Sequence, residues 1–215
     1  MNKVIFLSHI INEWTPLYGG EKSITVKKVK SIKKGDYCNK TYWSFPAHTG
    51  THIDAPRHFL DKGRTISNLL ARDLFFKKIC LIEVKNTKPG YIINEKDLSY
   101  IKDCELLFIK TGFEKHRNKA LYWKNSPALD DKLAGWLRKI CPSLRALGID
   151  FISISSLRDR ELGGKAHKAF LGDNILLIED MKLSSLKGSP DSVIIAPLIL
   201  EEADAAPCTV LGIYN

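Results

Sequence analysis

Three of the chain's six histidines fall within eleven residues, His48-Thr49-Gly50-Thr51-His52-Ile53-Asp54-Ala55-Pro56-Arg57-His58, with Asp54 between the second and third. Imidazole nitrogens beside a carboxylate form a ligand set that suits zinc, manganese or iron in hydrolytic sites. Spacing limits how they can meet. In a helix His48 and His52 share a face, but Asp54 points away, and Gly50, Thr51, Ile53 and Pro56 all oppose helix. In a flat strand 48, 52 and 54 share a face, yet His48 and His52 lie roughly 13 Å apart, too far for one ion. The segment must therefore bend, and Gly50 is the residue that tolerates the bend. Pro56 fixes the backbone again and returns His58 toward the site two residues later.

A second group lies downstream. Glu179 closes the apolar run Ile175-Leu176-Leu177-Ile178, where a buried carboxylate needs a partner or a cation. His167 follows Gly163-Gly164, a flexible lead-in that would let it swing onto an ion. On residues alone, a helix-capping histidine and a surface glutamate are the other reading of this pair. A serine or cysteine nucleophile is disfavoured: no Gly-x-Ser-x-Gly occurs, and the cysteines lie in otherwise uninformative surroundings.

The elements that must position these groups are mostly strands. Lys3–Ser8, Ile79–Val84, Leu106–Lys110, Ala146–Ile154, Asn174–Glu179 and Ser192–Ala196 are short β-rich or apolar runs, and Ser23–Ile32 alternates like an exposed strand or hairpin arm. Asp130–Ile140 carries apolar residues at 133, 136, 137 and 140, a helical stripe, and Lys165–Leu171 reads as a short helix ended by Gly172. No internal repeat or linker appears. The pattern predicts one α/β domain spanning 1–215, sheet-rich with few helices and not regularly doubly wound.

Composition bounds the function. With 44% hydrophobic and 27% charged residues the chain reads as an ordinary soluble protein. The opening MNKVIFLSHIINEW lacks the uncharged core of a signal peptide, and no run reaches the roughly 20 apolar residues of a membrane span. The five cysteines, Cys38, Cys80, Cys104, Cys141 and Cys208, are odd in number and never CxxC, which favours a reducing cytoplasm over a disulfide framework. The net charge of +9 comes from scattered lysine clusters such as Lys27-Lys28 and Lys77-Lys78, read as solvated faces and not as a nucleic-acid groove.

HTGTHIDAPRH at 48–58 matches every fixed position of His-x-Gly-Thr-His-x-Asp-x-Pro-x-His. In this the chain resembles the Putative cyclase family, which includes bacterial kynurenine formamidase and isatin hydrolase. LSH at 7–9, TPLYGG at 15–20, KTG at 110–112, GID at 148–150, HKAFLGDNILLIEDMKLSSL at 167–186 and EADAAP at 202–207 are similar to further blocks of that family. The resemblance implies a swivelling β/β/α domain, assembled as a homodimer or homotetramer. It implies that His48, His52 and Asp54 bind one metal, with Asp54 bridging to a second completed by His167 and Glu179. His58 would donate and accept the proton, and Tyr18 would contact substrate. The cofactor expected is a divalent metal, zinc first and manganese as the alternative, at one or two ions per chain.

Bound cations lower the pKa of water from about 16 to about 7, so hydroxide becomes available to attack a carbonyl at neutral pH. A histidine with an ordinary pKa of about 6.5 can take and return the proton. The reaction expected is hydrolysis of a small amide, formamide or cyclic amide, as in an arylformamidase. A lactone hydrolase or cyclase on the same site, or a non-catalytic metal- or ligand-binding member of the fold, are the alternatives. Departures from the resembled pattern, Gly19, Ser155 and Thr209 among them, leave the ligand set untouched and alter its surroundings.

Overall fold

The computed structural model describes residues 3–85, 87–98 and 101–215. Its strands are β1 (Lys3–Phe6), β2 (Thr25–Lys30), β3 (Lys40–Ser44), β4 (His52–Asp54), β5 (Phe75–Phe76), β6 (Ile79–Glu83) and β7 (Ile92–Ile93). They continue with β8 (Leu106–Lys110), β9 (Ala128–Leu129), β10 (Ala146–Ile149), β11 (Leu176–Glu179), β12 (Ser192–Pro197) and β13 (Ala205–Tyr214). The α-helices are α1 (Leu121–Lys124), α2 (Leu133–Ile140) and α3 (Arg160–Gly172). The protein is a sheet-rich mixed α/β fold with few helices, as the pattern predicts.

One large sheet runs in the order β5-β12-β13-β4-β11-β10-β8-β6, with β1 added on β13. Strands β6, β8, β10 and β11 are mutually parallel. Their runs, such as LLFIK and LLIE, lack alternation because both faces are covered. Every pairing from β11 onward through β4, β13, β12 and β5 is antiparallel. The three residues of β4 are thus the seam between a parallel and an antiparallel half.

Each face of the sheet has its own core. On one, Leu107, Ile109, Leu147, Ile149 and Leu177 pack against α2 and α3 through Leu137, Ala166 and Phe170. On the other, Ile53, Phe108, Ile178, Val193 and Val210 cluster with Phe76 of β5 and with Ile79 and Leu81 of β6, the two ends of the sheet. Opposite edges share one core, so the sheet curls into a nearly closed barrel.

Several elements differ from expectation for local reasons. The helix expected from Asp130 begins at Leu133, because the backbone of 128–130 is engaged by β7: Ala128 pairs with Ile92, and Asp130 N donates to Ile93 O. The helix expected at 165–171 begins at Arg160, capped by Asp159, whose side chain accepts from Leu162 N. Gly163-Gly164 is therefore helix interior and not a flexible lead-in. Glycine costs roughly 1 kcal/mol there relative to alanine. At 163 there is no alternative, since a Cβ would stand 2.5 Å from Ser155 Oγ. The run expected over 146–154 is strand to Ile149 alone. β13 lies outside the expected strands altogether; Pro207 hides it, since proline argues against a central strand. The arm expected at 23–32 is real: β2 pairs with β3 as a separate exposed hairpin. Among the described residues no helix is long and apolar enough to cross a membrane.

Candidate metal centre

β4 determines what meets at the centre. His52 and Asp54 are two residues apart, so both project from the helix-covered face. On one side His52 lies opposite Glu179, the last residue of β11; on the other it lies opposite Pro207 of β13. A clamp holds this register: Thr51 Oγ1 donates to Asp180 O, and Cys208 N donates to Thr51 O. Asp180 is itself fixed by Arg117, at 2.7 and 2.9 Å, and by the Tyr122 hydroxyl at 2.6 Å.

The bend required upstream occurs at Gly50, whose φ is +63° and where a Cβ would stand 3.0 Å from Ile11 Cγ1. The turn brings the His48 and His52 rings to 5.1 Å between centroids. Beyond β4, Pro56 opens a single 3-10 turn, Pro56–His58, that swings the His58 ring to 4.1 Å from His48. His167 arrives from above, on the buried face of α3, with its ring 5.7 Å from that of His58.

Hydrogen bonds aim the donor atoms. His52 Nδ1 donates to Gly50 O at 2.8 Å, and His167 Nδ1 donates to Gly163 O at 2.9 Å, with Ser155 Oγ at 3.1 Å. Both Nε2 atoms are thereby left as lone-pair donors, the arrangement by which an outer carbonyl orients a metal-binding imidazole. His52 Nε2 lies 3.4 Å from Asp54 Oδ1 and 3.5 Å from Glu179 Oε2. His167 Nε2 lies 3.7 Å from Asp54 Oδ2 and 3.6 Å from Glu179 Oε1. Glu179 Oε1 also accepts from Ile154 N at 2.7 Å. Ligands about 2.0–2.1 Å from a tetrahedral ion are roughly 3.3 Å apart, so these separations fit a cation of that size.

Burial makes the same point. His52 Nε2 and Asp54 are buried; His48 Nδ1 lies 2.9 Å from Asp54 Oδ1, while Asp54 Oδ2 and His52 Nε2 make no hydrogen bond of good geometry. A desolvated carboxylate left so costs several kcal/mol, which a cation offsets. Asp54 belongs to two ligand triads, with His48 and His58 and with His52 and Glu179, the atoms of each lying within 4.8 Å of one another. The donor set present fits a divalent metal.

One residue of the cluster escapes a reading of motifs. Asp204, just ahead of β13, accepts through Oδ2 from His48 Nε2 at 3.0 Å and from His58 Nδ1 at 2.9 Å. It lies within the EADAAP block, but its position beside His58 follows from the pairing of β13 with β4. Without a cation, burial opposes charge on His48, yet the hydrogen bond to Asp204 and the proximity of Asp54 raise it to about 10. His52 is also raised, Asp54 overriding its burial; His167 is raised by Glu179 against the same opposition. Asp54 is held well below the usual carboxylate range by His48 and His52 in spite of burial. His58 differs: burial lowers it, with Asp54 opposing.

These groups floor a cavity of about 390 Å³. Pro16, Leu17, Tyr18, Pro46, Phe59 and Ile152 supply its apolar wall. Tyr18 stands on a 3-10 turn, Tyr18–Gly20, with both glycines at positive φ and Gly20 against the Trp123 ring. All seven residues singled out from sequence, Tyr18, His48, His52, Asp54, His58, His167 and Glu179, line this cavity or its floor.

The model of the Putative cyclase family matches residues 5–156, and the chain belongs to that family. It is 27% identical over 207 residues to the kynurenine formamidase of Geobacillus thermodenitrificans, covering 96% of this chain and 95% of the relative. It shares its fold with isatin hydrolase A from Ralstonia solanacearum, at a TM-score of 0.85 and 16% identity, covering 100% of this chain and 92% of that one. A potential metal-dependent hydrolase with cyclase activity superposes at a TM-score of 0.79 and 23% identity, covering 100% and 99%.

Proposed function

We propose that this protein is a metal-dependent hydrolase that cleaves the C–N bond of a small non-peptide amide, formamide or cyclic amide, in the manner of an arylformamidase. The observation that carries the reading is the convergence of His48, His52 and His167 nitrogens on the buried carboxylates of Asp54 and Glu179, beneath a cavity of small-molecule size. His48, His52, Asp54, His167 and Glu179 would hold one or two divalent ions. Zinc suits the set, and manganese is the alternative. When bound, the ion supplies Lewis acidity and lowers the pKa of water.

The chain's own residues do the rest. Asp204 accepts the Nδ1 proton of His58, which leaves Nε2 to take a proton from the attacking water and return it to the leaving nitrogen. Burial keeps His58 neutral near pH 7, the form a base requires. The apolar wall of Pro16, Leu17, Tyr18, Pro46, Phe59 and Ile152 excludes water and suits an acyl or aryl group. The kynurenine formamidase relative makes N-formylkynurenine the nearest named substrate. A homodimer or homotetramer and the swivelling β/β/α arrangement belong to the same reading.

The test is turnover of a panel of formanilides, cyclic amides and lactones by protein loaded with zinc or manganese. Hydrolysis of a formanilide is the expected result. Turnover of lactones alone would move the assignment to the C–O bond, and a fully loaded protein that turned over nothing would overturn it.

A further inference from the structure

Three thiols that the metal chemistry does not use lie at the other end of the parallel strands. Cys80 is the second residue of β6, Cys104 precedes β8, and Cys141 follows α2. Cys104 and Cys141 are buried, with their sulfurs 3.4 Å apart. Cys104 N donates to Cys141 Sγ at 3.1 Å, and the Cys141 thiol donates to Cys104 O at 3.4 Å. Cys80 is only partly buried. Cys80 and Cys104 line a surface cavity of about 400 Å³ together with Lys78, Lys102, Asp103 and Ser189.

The three sites are unequal in a useful order. The neighbouring Cys104 thiol brings the Cys80 thiol down to about 6, with burial opposing and the Lys102 backbone N–H and ammonium helping. The same contact, with burial, pushes Cys104 upward. The accessible sulfur is therefore the nucleophile, because the thiolate is the reactive form. Cys104 shares the cavity with it, and Cys141 lies 3.4 Å behind Cys104, close enough to resolve what forms.

We propose that Cys80, Cys104 and Cys141 form a thiol relay oxidised by small hydroperoxides entering the Lys78–Lys102 cavity. The Cys80 thiolate attacks one peroxide oxygen; an S–O bond forms, the O–O bond breaks, and the other fragment leaves as water or an alcohol after gaining a proton. Cys104 then attacks the sulfenic sulfur, an S–S bond forms, and the hydroxyl leaves as water with the Cys104 proton. Two thiols have lost two electrons to the peroxide. Exchange by Cys141 onto Cys104 passes the disulfide inward and releases Cys80 as a thiol. Cytosolic disulfides of this kind are transient and catalytic or redox-sensing, so the relay agrees with a chain otherwise without a disulfide framework.

The test treats metal-loaded protein with one equivalent of hydrogen peroxide, alkylates the remaining thiols after denaturation, and maps peptides by mass spectrometry. The expected products are Cys80–Cys104 and Cys104–Cys141 disulfides, with Cys38 and Cys208 alkylated. Cys141→Ser should stop the sequence at Cys80–Cys104. Cys80→Ser, a change at a partly exposed position, should lose most of the Cys104–Cys141 product. Formation of that product at the wild-type rate in Cys80→Ser, or oxidation of Cys38 ahead of Cys80, would overturn the relay.

Discussion

The two ends of the parallel strands carry polar clusters of opposite kinds. At the carboxyl end, beside Glu179, buried nitrogen and oxygen atoms converge and only partly satisfy one another. At the amino end, beside Cys104, buried sulfurs satisfy each other and the neighbouring backbone. The first cluster is incomplete without something from outside the chain; the second is complete as it stands and changes only by reaction. The difference is that between a binding site and a reactive one. It agrees with the general placement of ligands at the carboxyl ends of parallel strands.

The largest effect that would test this comparison is His52→Ala. It should lose most of the bound metal and reduce turnover to that of metal-free protein, measured by elemental analysis beside activity. Wild-type protein should release protons on binding the cation at pH 7. Against its burial, His48 is raised to about 10 by Asp204 and Asp54, so it carries a proton that the cation must displace; the carboxylates beside His52 and His167 raise those two in the same direction, and affinity falls as pH falls. Calorimetry in buffers of different ionisation enthalpy measures that release; its absence would mean that the cation displaces no proton from His48.

His58→Ala should lower kcat by roughly 100-fold to 10,000-fold while metal occupancy falls far less. Should it empty the site instead, His58 is primarily a ligand, as its triad with His48 and Asp54 also allows. Asp204→Asn should cost about 10-fold to 100-fold, the usual scale for a residue orienting a metal-site histidine. Because Asp204 supports charge on His58, its loss should lower His58 further and move the acid limb of the rate profile to lower pH. An unmoved limb would detach Asp204 from proton transfer.

Tyr18→Ala should raise KM more than it lowers kcat, since a contact made equally in ground and transition states contributes uniform binding. If Tyr18 packs instead in a subunit interface, gel filtration of the variant would show altered assembly. The smallest effect belongs to the other pole. Cys80→Ser should change stability by no more than about 0.5 kcal/mol and leave turnover at the wild-type level, because a partly exposed position outside the site carries little.

Much of the centre is written locally. The spacing of His48, His52, Asp54 and His58 excludes helix and flat strand alike, so a bend at Gly50 follows from steric rules and covalent geometry before any tertiary contact is considered. The apolar runs ICLIE, LLFIK and LLIE likewise declare buried strands, since burial on both faces removes alternation. What no local rule contains is which strands become neighbours. The pairing of β4 between β11 and β13 brings Glu179 opposite His52 and Asp204 against His48 and His58 across separations of more than a hundred residues. The interior glycine of α3 and the meeting of three scattered cysteines are decided in the same way. Each depends on close packing between distant segments, and packing is a property of the assembled core rather than of any stretch of chain.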